Sequence, residues 1–406
     1  MTSAQLIFLI IAFLLAFVAA GAVQQVRRRN LQVWLGGYLR HQLRRRLARK
    51  PATPRIHVLL CIADHFEPDW GGASEETARA RVDAWVRTYP RLFGPFRDSD
   101  GRPPRRTFFY PIEQYAPRHL DELATLCRAG FGEVEVHLHH DRDTPENLTS
   151  MLRHATQQLA DRHGLLGRWP DGRIAYGFVH GNWALCNSRP GGRWCGVNNE
   201  LKILRETGCY ADFTLPSAPD ATQTRKINSI YYATGDPHRP KAHDRGIDVG
   251  LAPAPPESLM LIQGPLLLWR PRGRWAPRIE NGCLQRSQPP TMERLDHWIQ
   301  AGIGVPSRPD WVFIKLHTHG APEVNQRMLL GDPMIRFHEA LARRAAADDR
   351  FCFHYVTARE MYNLAKAAEA GWTGSVAAAR EFLIAPARPD NATPKVLSAE
   401  SSASTS

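Results

Sequence analysis

The chain has 406 residues, 43% of them hydrophobic, and is long enough for one large α/β domain with appendages. Its formal net charge of +12 is typical of nucleic-acid binding. However, nine basic residues lie between Arg27 and Lys50, and the rest of the chain has 43 basic residues against 40 acidic ones. The charge is thus confined to one block, and no nucleic-acid partner is predicted. Seven cysteines without a Cys-x-x-Cys pair indicate neither a disulfide framework nor a zinc ribbon, and they favour a reducing compartment.

A hydrophobic run without a single polar side chain covers residues 6–23, after a short N-terminus at residues 1–5. A helix of this length rises about 27 Å, close to the hydrocarbon thickness of a bilayer. Residues 20–22 have the small-x-small form of a signal-peptide cleavage site, but no Lys or Arg precedes the run, as a signal peptide would require. The run therefore predicts one transmembrane helix.

The basic block belongs to a juxtamembrane amphipathic segment and linker predicted at residues 24–54, whose helix would lie on anionic lipid headgroups. A solvated linker helix is the alternative. Because Lys and Arg beside a membrane span favour the cytoplasmic side, the sequence predicts a single-pass protein of the inner (plasma) membrane with its large domain in the cytoplasm.

Strands and helices then alternate about seven times across a domain predicted at residues 55–385. Predicted strands cover residues 55–63, 107–110, 131–139, 174–179, 209–215, 311–316 and 351–356. Predicted helices cover residues 74–93, 119–130, 145–163, 198–207, 292–301, 324–347 and 358–370. Polar side chains follow several strands, and only a closed barrel brings all these strand ends to one mouth, so we predict an α/β barrel rather than a doubly wound sheet.

Two segments break this alternation. Residues 216–290 are rich in Pro, Gly and aromatic residues with short apolar runs, which predicts a β-rich insertion beside the mouth of the barrel. Residues 386–406 are rich in Pro, Ala, Ser and Thr, which predicts a disordered tail.

The segment FGEVEVHLHHD at residues 131–141 carries the clearest chemical signal. His137 and His139 share one face of the predicted strand and can both reach one cation, and Asp141 follows as a further oxygen ligand. Asp64, at the end of the first strand, adds a carboxylate. Two imidazoles and a carboxylate with an open position fit a catalytic divalent metal, for which we predict Zn²⁺. A solvated polar loop is the alternative interpretation.

Two further strand ends carry polar or aromatic side chains. One strand is followed by His180, Asn182 and Trp183, which we predict to bind substrate; a satisfied core histidine and a packing tryptophan are the alternatives. A later strand is followed by His317 and His319, for which we predict catalytic roles, with hydrogen bonds to loop carbonyls as the alternative.

In their order along residues 55–370, these motifs resemble those of polysaccharide deacetylases of the carbohydrate esterase family 4 type. The resemblance implies a deformed (β/α)7 TIM-like barrel that uses a metal to remove acetyl groups from sugars. It also implies that either His139 or Asp141 is the second ligand of the His motif. A histidine of the late Leu-His motif, His317 or His319, would be the general acid.

The first motif departs from the family pattern. In that family two adjacent Asp residues follow the first strand, one as the base and one as a ligand, whereas this chain has Ala63 and Asp64. The resemblance therefore gives Asp64 the ligand role and leaves the catalytic base open between Glu67 and His65.

The sequence thus predicts a metal-dependent hydrolase that deacetylates a carbohydrate in envelope or exopolysaccharide biosynthesis, with the carbohydrate and the membrane as its partners. Two alternatives stay open. One is another metal-dependent barrel amidohydrolase, in which a His-x-His motif also ends a strand, although there it is the first barrel strand. The other is a catalytically silent glycan-binding barrel, which Ala63 in the first motif leaves open.

Overall fold

The computed structural model describes residues 3–47, 55–270 and 277–387, so the end of the predicted linker and most of the predicted tail lie outside the described residues. The helices are α1 (Ser3–Arg28), α2 (Leu31–Leu47), α3 (Glu75–Phe93), α4 (Pro117–Arg128), α5 (Pro145–Asp161), α6 (Glu200–Glu206), α7 (Met292–Ala301), α8 (Glu323–Leu329), α9 (Asp332–Ala347), α10 (Ala358–Glu369) and α11 (Val376–Ala379). The strands are β1 (Ile56–His65), β2 (Arg106–Pro111), β3 (Gly132–Leu138), β4 (Gly167–Arg168), β5 (Ile174–His180), β6 (Cys209–Asp212), β7 (Ile230–Ala233), β8 (Ile247–Asp248), β9 (Leu259–Ile262), β10 (Leu267–Trp269), β11 (Arg278–Glu280), β12 (Trp311–Thr318) and β13 (Phe351–Tyr355).

The long helices begin at side chains that satisfy their free backbone N–H groups. Ser74 accepts a hydrogen bond from the backbone N–H of Thr77 at the start of α3, and Thr144 accepts one from Asn147 at the start of α5. Thr357 and Glu360 form a reciprocal capping box at the start of α10. These caps fix where each helix leaves the loop that follows a strand.

The central sheet is mostly parallel, which confirms the predicted α/β class. Parallel ladders join β12, β1, β2, β3, β5, β6 and β9 in that order. Strand β12 pairs with one edge of β1. Along the other edge of β1, β13 pairs with the first half of the strand and β2 with the second half. The carboxyl ends of the parallel strands consequently face one side of the sheet.

The sheet curls until its two parallel ends approach each other. Lys315 of β12 donates from Nζ to the carbonyl oxygen of Phe213, which follows β6, at 2.7 Å. A Cβ atom on Gly264, just after β9, would lie 2.3 Å from the Lys315 carbonyl oxygen, so only glycine permits this approach. Over the described ranges no backbone ladder joins β12 to β9, and these two contacts link the ends of the sheet.

Strand β1 is apolar on both faces, as a strand covered on both sides should be. Val58, Leu60 and Ile62 pack towards the helices, in the same cluster as Trp85 of α3. The alternate residues Leu59, Cys61 and Ala63 belong to the other cluster, with Phe109, Val179 and Met361. This alternation decides which side chains at the end of β1 reach the interior of the curled sheet.

The segment at residues 216–290, predicted as an insertion, is integrated into the sheet. It contributes β7 to β11, and β9 pairs in parallel with β6 while β7 pairs antiparallel with β9. The apolar run Leu259–Ile262 is buried throughout and lies inside the sheet, whereas β10 and β11 form a separate two-stranded sheet. Other residues of the segment, including Ser217 and Cys283, lie beside His317 near the carboxyl end of β12.

The amphipathic segment predicted at residues 24–54 packs in part on the domain. Trp34 of α2 is fully buried in a cluster that also contains Ala218, Ile227 and Leu266. His41 Nε2 is 2.7 Å from the carbonyl oxygen of Ala301. Within the described part of the chain no helix combines the length and apolar character needed to cross a membrane, so the transmembrane helix predicted at residues 6–23 finds no support.

A buried ion network predicts how stability responds to acid. The carboxylate of Glu360 contacts Arg102 and Arg380 at 3.2 Å each, and also Arg105. Burial raises the pKa of Glu360, but the arginines, Arg105 foremost, outweigh it and lower the value to about 2. Because the unfolded value is about 4.3, this contribution is complete above that pH and is lost as the pH falls towards 2.

We therefore expect Glu360→Gln to lower the free energy of unfolding by about 3 kcal/mol at pH 7, the free energy that corresponds to this pKa shift, since it removes the carboxylate that the arginines share. The difference in melting temperature between this variant and the wild type should shrink between about pH 4.3 and 2. Thermal unfolding followed by circular dichroism measures both. Glu339→Gln, which removes an exposed pair with Arg343, should change neither result.

Candidate metal centre and substrate cleft

Three buried side chains converge where β1 and β3 end. His65 closes β1, Glu67 follows two residues later, and His137 lies in β3. One donor atom of each lies within 4.8 Å of the other two. Glu67 Oε1 is 3.1 Å from His137 Nε2, and the rings of His65 and His137 are 4.8 Å apart. We call these three residues the first centre.

The donor set of the first centre fits a divalent cation. Two imidazoles and one carboxylate are the protein ligands of many catalytic Zn²⁺ sites, where a fourth position stays open. The Nδ1 atoms of His65 and His137 are both buried, and neither has a hydrogen-bond partner among the residues described. Burial, followed by the neighbouring His319 and His137, lowers the pKa of His65 well below its ordinary value, so its ring is neutral. A bound cation would satisfy a buried nitrogen such as Nδ1 of His65, whereas His137 faces Glu67 through Nε2.

Two more imidazoles surround Glu67. Its Oε1 is 3.8 Å from His139 Nε2 and 3.7 Å from His319 Nε2. His139 Nδ1 lies 2.6 Å from Glu113 Oε1. Burial lowers the pKa of His139, but its hydrogen bond to Glu113 and the charge of that group outweigh burial and raise it overall. His139, predicted as a ligand, is therefore placed beside the first centre with a carboxylate that orients its ring.

Asp64, predicted as a metal ligand, points away from the first centre. It lies one residue before His65 and so faces the helix side of β1. Its Oδ2 accepts from Arg106 Nη2 at 2.7 Å, and its Oδ1 accepts from the backbone N–H of Gly320 at 2.6 Å. Trp85 Nε1 donates to the carbonyl oxygen of the same glycine at 3.1 Å. Asp64 thus fixes the loop that carries His319, and it is a positioning residue.

Asp141 is the second predicted ligand that the structure places elsewhere. It is exposed, and its carboxylate accepts a hydrogen bond from the backbone N–H of Trp194. Because β3 ends at Leu138, the chain has already left the strand face that carries His137 when it reaches Asp141. The strand pattern therefore does not extend to this residue.

A cleft of about 760 Å³ lies against this cluster of histidines. Its lining includes His317, His319 and Trp183, together with Arg29 and Asn30 from the turn between α1 and α2. The rings of Trp183 and His65 are 6.2 Å apart. Trp183 has a φ of 55°, unusual for a bulky residue, so the backbone holds its ring here at some cost in strain.

Of the other two predicted substrate-binding residues, Asn182 is half-buried, and His180 belongs to a second buried cluster, which the sequence did not predict. His180 accepts at Nδ1 from the backbone N–H of Asn182 at 3.2 Å. His180, His140, Cys195 and Glu200 bring one donor atom each within 4.8 Å of one another. We call these four residues the second centre.

A third group of acidic and histidine side chains is already paired with a positive charge, the guanidinium of Arg380. Asp98, Asp100 and His354 lie close together, but Arg380 Nη2 is 3.3 Å from Asp98 and 2.9 Å from Asp100. His354 Nδ1 is 2.9 Å from Asp100 Oδ2. These contacts make the group part of the ion network around Glu360 and leave the first and second centres as the candidates for metal.

Comparisons with known proteins do not assign the chain to a family. No protein-family model matches it, and no curated protein does either. Among solved structures it is similar to a 4-alpha-glucanotransferase from Thermococcus litoralis, with 12% identity and a TM-score of 0.39. The match covers 76% of this chain and 40% of that chain, so it spans less than half of the transferase. At this level of similarity the match bears on neither mechanism nor substrate.

Proposed function

We propose that the protein is a metal-dependent hydrolase that removes acetyl groups from a carbohydrate, in envelope or exopolysaccharide biosynthesis. The observation that carries the proposal is the convergence of His65, Glu67 and His137 beside a cleft that Trp183 and His319 line. The resemblance of the strand-end motifs to polysaccharide deacetylases supports acetylated sugars as the substrate class. When bound by these three residues, a divalent cation such as Zn²⁺ would act as a Lewis acid on the acyl group.

The remaining side chains supply binding and proton transfer. The Trp183 ring offers an apolar face for a sugar ring at the wall of the cleft. His139, oriented through Nδ1 by Glu113, has its Nε2 directed to Glu67 and is suited to move a proton. His319 lies at the end of another strand, with its Nε2 at 3.7 Å from Glu67 Oε1. It would transfer a proton in the direction opposite to that of His139. Glu67, predicted as a base, joins the ligand set instead.

The test is metal analysis of the purified full chain, followed by acetate release from a panel of N- and O-acetylated glycans. We expect bound Zn²⁺ and acetate release that stops on chelation and returns with added metal. Bound metal that Glu67→Gln loses, without acetate release from any glycan by the wild type, would reject deacetylation and leave the first centre standing. A protein that binds no metal at the first centre would reject the hydrolase itself.

Gly181 gives a test of the role of His139. A Cβ atom at position 181 would lie 2.3 Å from His139 Cδ2, so Gly181→Ala must displace the ring. We expect turnover of acetylated glycan to fall by about 10²-fold, because a misplaced proton-transfer group forfeits most of its contribution. Metal content should stay at the wild-type level, because His139 is not in the ligand set.

The matched control is Gly36→Ala in α2, where an added Cβ meets no other atom within 4 Å. This variant should keep both turnover and metal. Equal turnover of Gly181→Ala and the wild type would remove His139 from the mechanism.

A further inference from the structure

We propose that the second centre, formed by His140, His180, Cys195 and Glu200, is a structural Zn²⁺ site separate from the first centre. All four side chains are buried, and their donor atoms lie within 4.8 Å of one another. One thiolate, one carboxylate and two neutral imidazoles would balance the charge of a divalent cation. Thiolate and imidazole ligands favour Zn²⁺ over the hard cations.

The distances between donors are close to those between ligands of one tetrahedral ion, with the two imidazoles near one oxygen of Glu200 and the thiol near the other. His140 Nε2 is 3.2 Å from Glu200 Oε1, and His180 Nε2 is 3.9 Å from the same oxygen. Cys195 Sγ is 3.5 Å from Glu200 Oε2. For one sulfur ligand, Zn²⁺ bonds of about 2.0 Å to N or O and 2.3 Å to S give a tetrahedron with edges of about 3.3–3.5 Å.

Groups behind the ligands have the arrangement that metal sites use. His140 Nδ1 is 3.0 Å from Asp143 Oδ2, the carboxylate contact that usually orients a ligating imidazole. Asp143 is itself held by the backbone N–H of Thr144 at 2.7 Å. Cys195 Sγ accepts backbone N–H groups from Asn187 and Val197 at 3.3 and 3.4 Å, and such bonds stabilise a thiolate.

One ligand atom lacks any partner in the residues that the structure describes. His180 is fully buried, and its Nε2 atom makes no hydrogen bond, although it faces Glu200 at 3.9 Å. A cation between these atoms would satisfy it. Since the backbone N–H of Asn182 now donates to Nδ1, metal binding must move the ring proton to Nδ1 and turn this N–H away. Binding also releases the protons of His140 Nε2 and Cys195 Sγ.

The site would join four separate parts of the fold. His140 follows β3, His180 ends β5, Cys195 lies in an irregular loop, and Glu200 begins α6. The loop fixed in this way includes Trp183, which lines the substrate cleft. The second centre would therefore hold a wall of the cleft in place without touching the substrate.

Cobalt substitution of the full chain tests the proposal, because a Co²⁺–thiolate bond gives a charge-transfer band in the near ultraviolet. The measurement is made on Glu67→Gln, which lacks a ligand of the first centre. We expect one equivalent of Co²⁺ or Zn²⁺ to remain in this variant, with the sulfur band present in the cobalt form. Adding Cys195→Ser should remove both the band and the equivalent.

The control is Cys283→Ser added to Glu67→Gln, since Cys283 is the thiol that lines the cleft beside His317. It should keep both the band and the metal. A cobalt form of Glu67→Gln without a sulfur band would overturn the proposal, even if Cys195→Ser fails to fold. Loss of the band in Cys283→Ser alone would overturn it as well.

Discussion

Replacing Glu67 with glutamine should reduce acetate release by about 10³-fold and remove one equivalent of bound metal, with the fold preserved. Glu67 is the only carboxylate of the first centre, and it also lies between His137, His139 and His319. An amide keeps the shape of the side chain but removes the negative charge that a cation requires. The loss therefore combines a weakened ligand set with disturbed proton-transfer groups.

Asp141→Asn provides the control for this result, because Asp141 was a predicted ligand but lies exposed beside Trp194. We expect this variant to retain the metal content and turnover of the wild type. Circular dichroism and metal analysis of both variants complete the experiment. Suppose that Asp141→Asn loses an equivalent of metal and Glu67→Gln retains as much metal as the wild type. The first centre would then be wrongly composed.

Asp64→Asn should lower the free energy of unfolding by about 3–5 kcal/mol while leaving the metal content unchanged. Asp64 and Arg106 form an ion pair with both side chains fully buried. The amide removes the negative charge that compensates the buried guanidinium of Arg106. The resulting loss in free energy of unfolding is larger than the loss from breaking an exposed ion pair. A ligand would instead show the opposite result, with metal lost and stability affected less.

Urea denaturation measures the first effect, and metal analysis of the folded variant measures the second. Asp332→Asn removes an exposed pair with Arg336 and should cost less than about 1 kcal/mol. We also expect turnover of Asp64→Asn to fall, because asparagine offers one acceptor oxygen to two donors, Arg106 and the backbone N–H of Gly320, and His319 is then less firmly placed.

The sequence predicted the β3 side of the first centre and misassigned the β1 side. In β3 the polar residues mark the inner face, so His137 could be placed from the pattern alone. In β1 both faces are apolar, and the pattern does not say whether Asp64 or His65 points inward. Only the ladder to β2 and the packing of α3 settle which face is inside.

The second centre was out of reach of sequence reasoning for a different reason. His140 and His180 could be seen at strand ends, but Cys195 lies in a loop whose path depends on tertiary contacts. Glu200 looks like an ordinary acidic residue in the first turn of α6. Spacing rules for metal ligands address compact motifs, and these four residues span 61 positions of the chain.

The position of the N-terminal turn has a practical consequence for substrate screening. Arg29 donates from Nη1 to the carbonyl oxygen of Pro277 at 3.1 Å, and Asn30 donates from Nδ2 to that of Pro219 at 2.8 Å. A truncated protein beginning at residue 55 would lose these contacts, part of the cleft lining and the Trp34 anchor. Its binding site would be wider and less selective, so a substrate profile measured on the truncated domain would describe a different cleft from that of the whole chain.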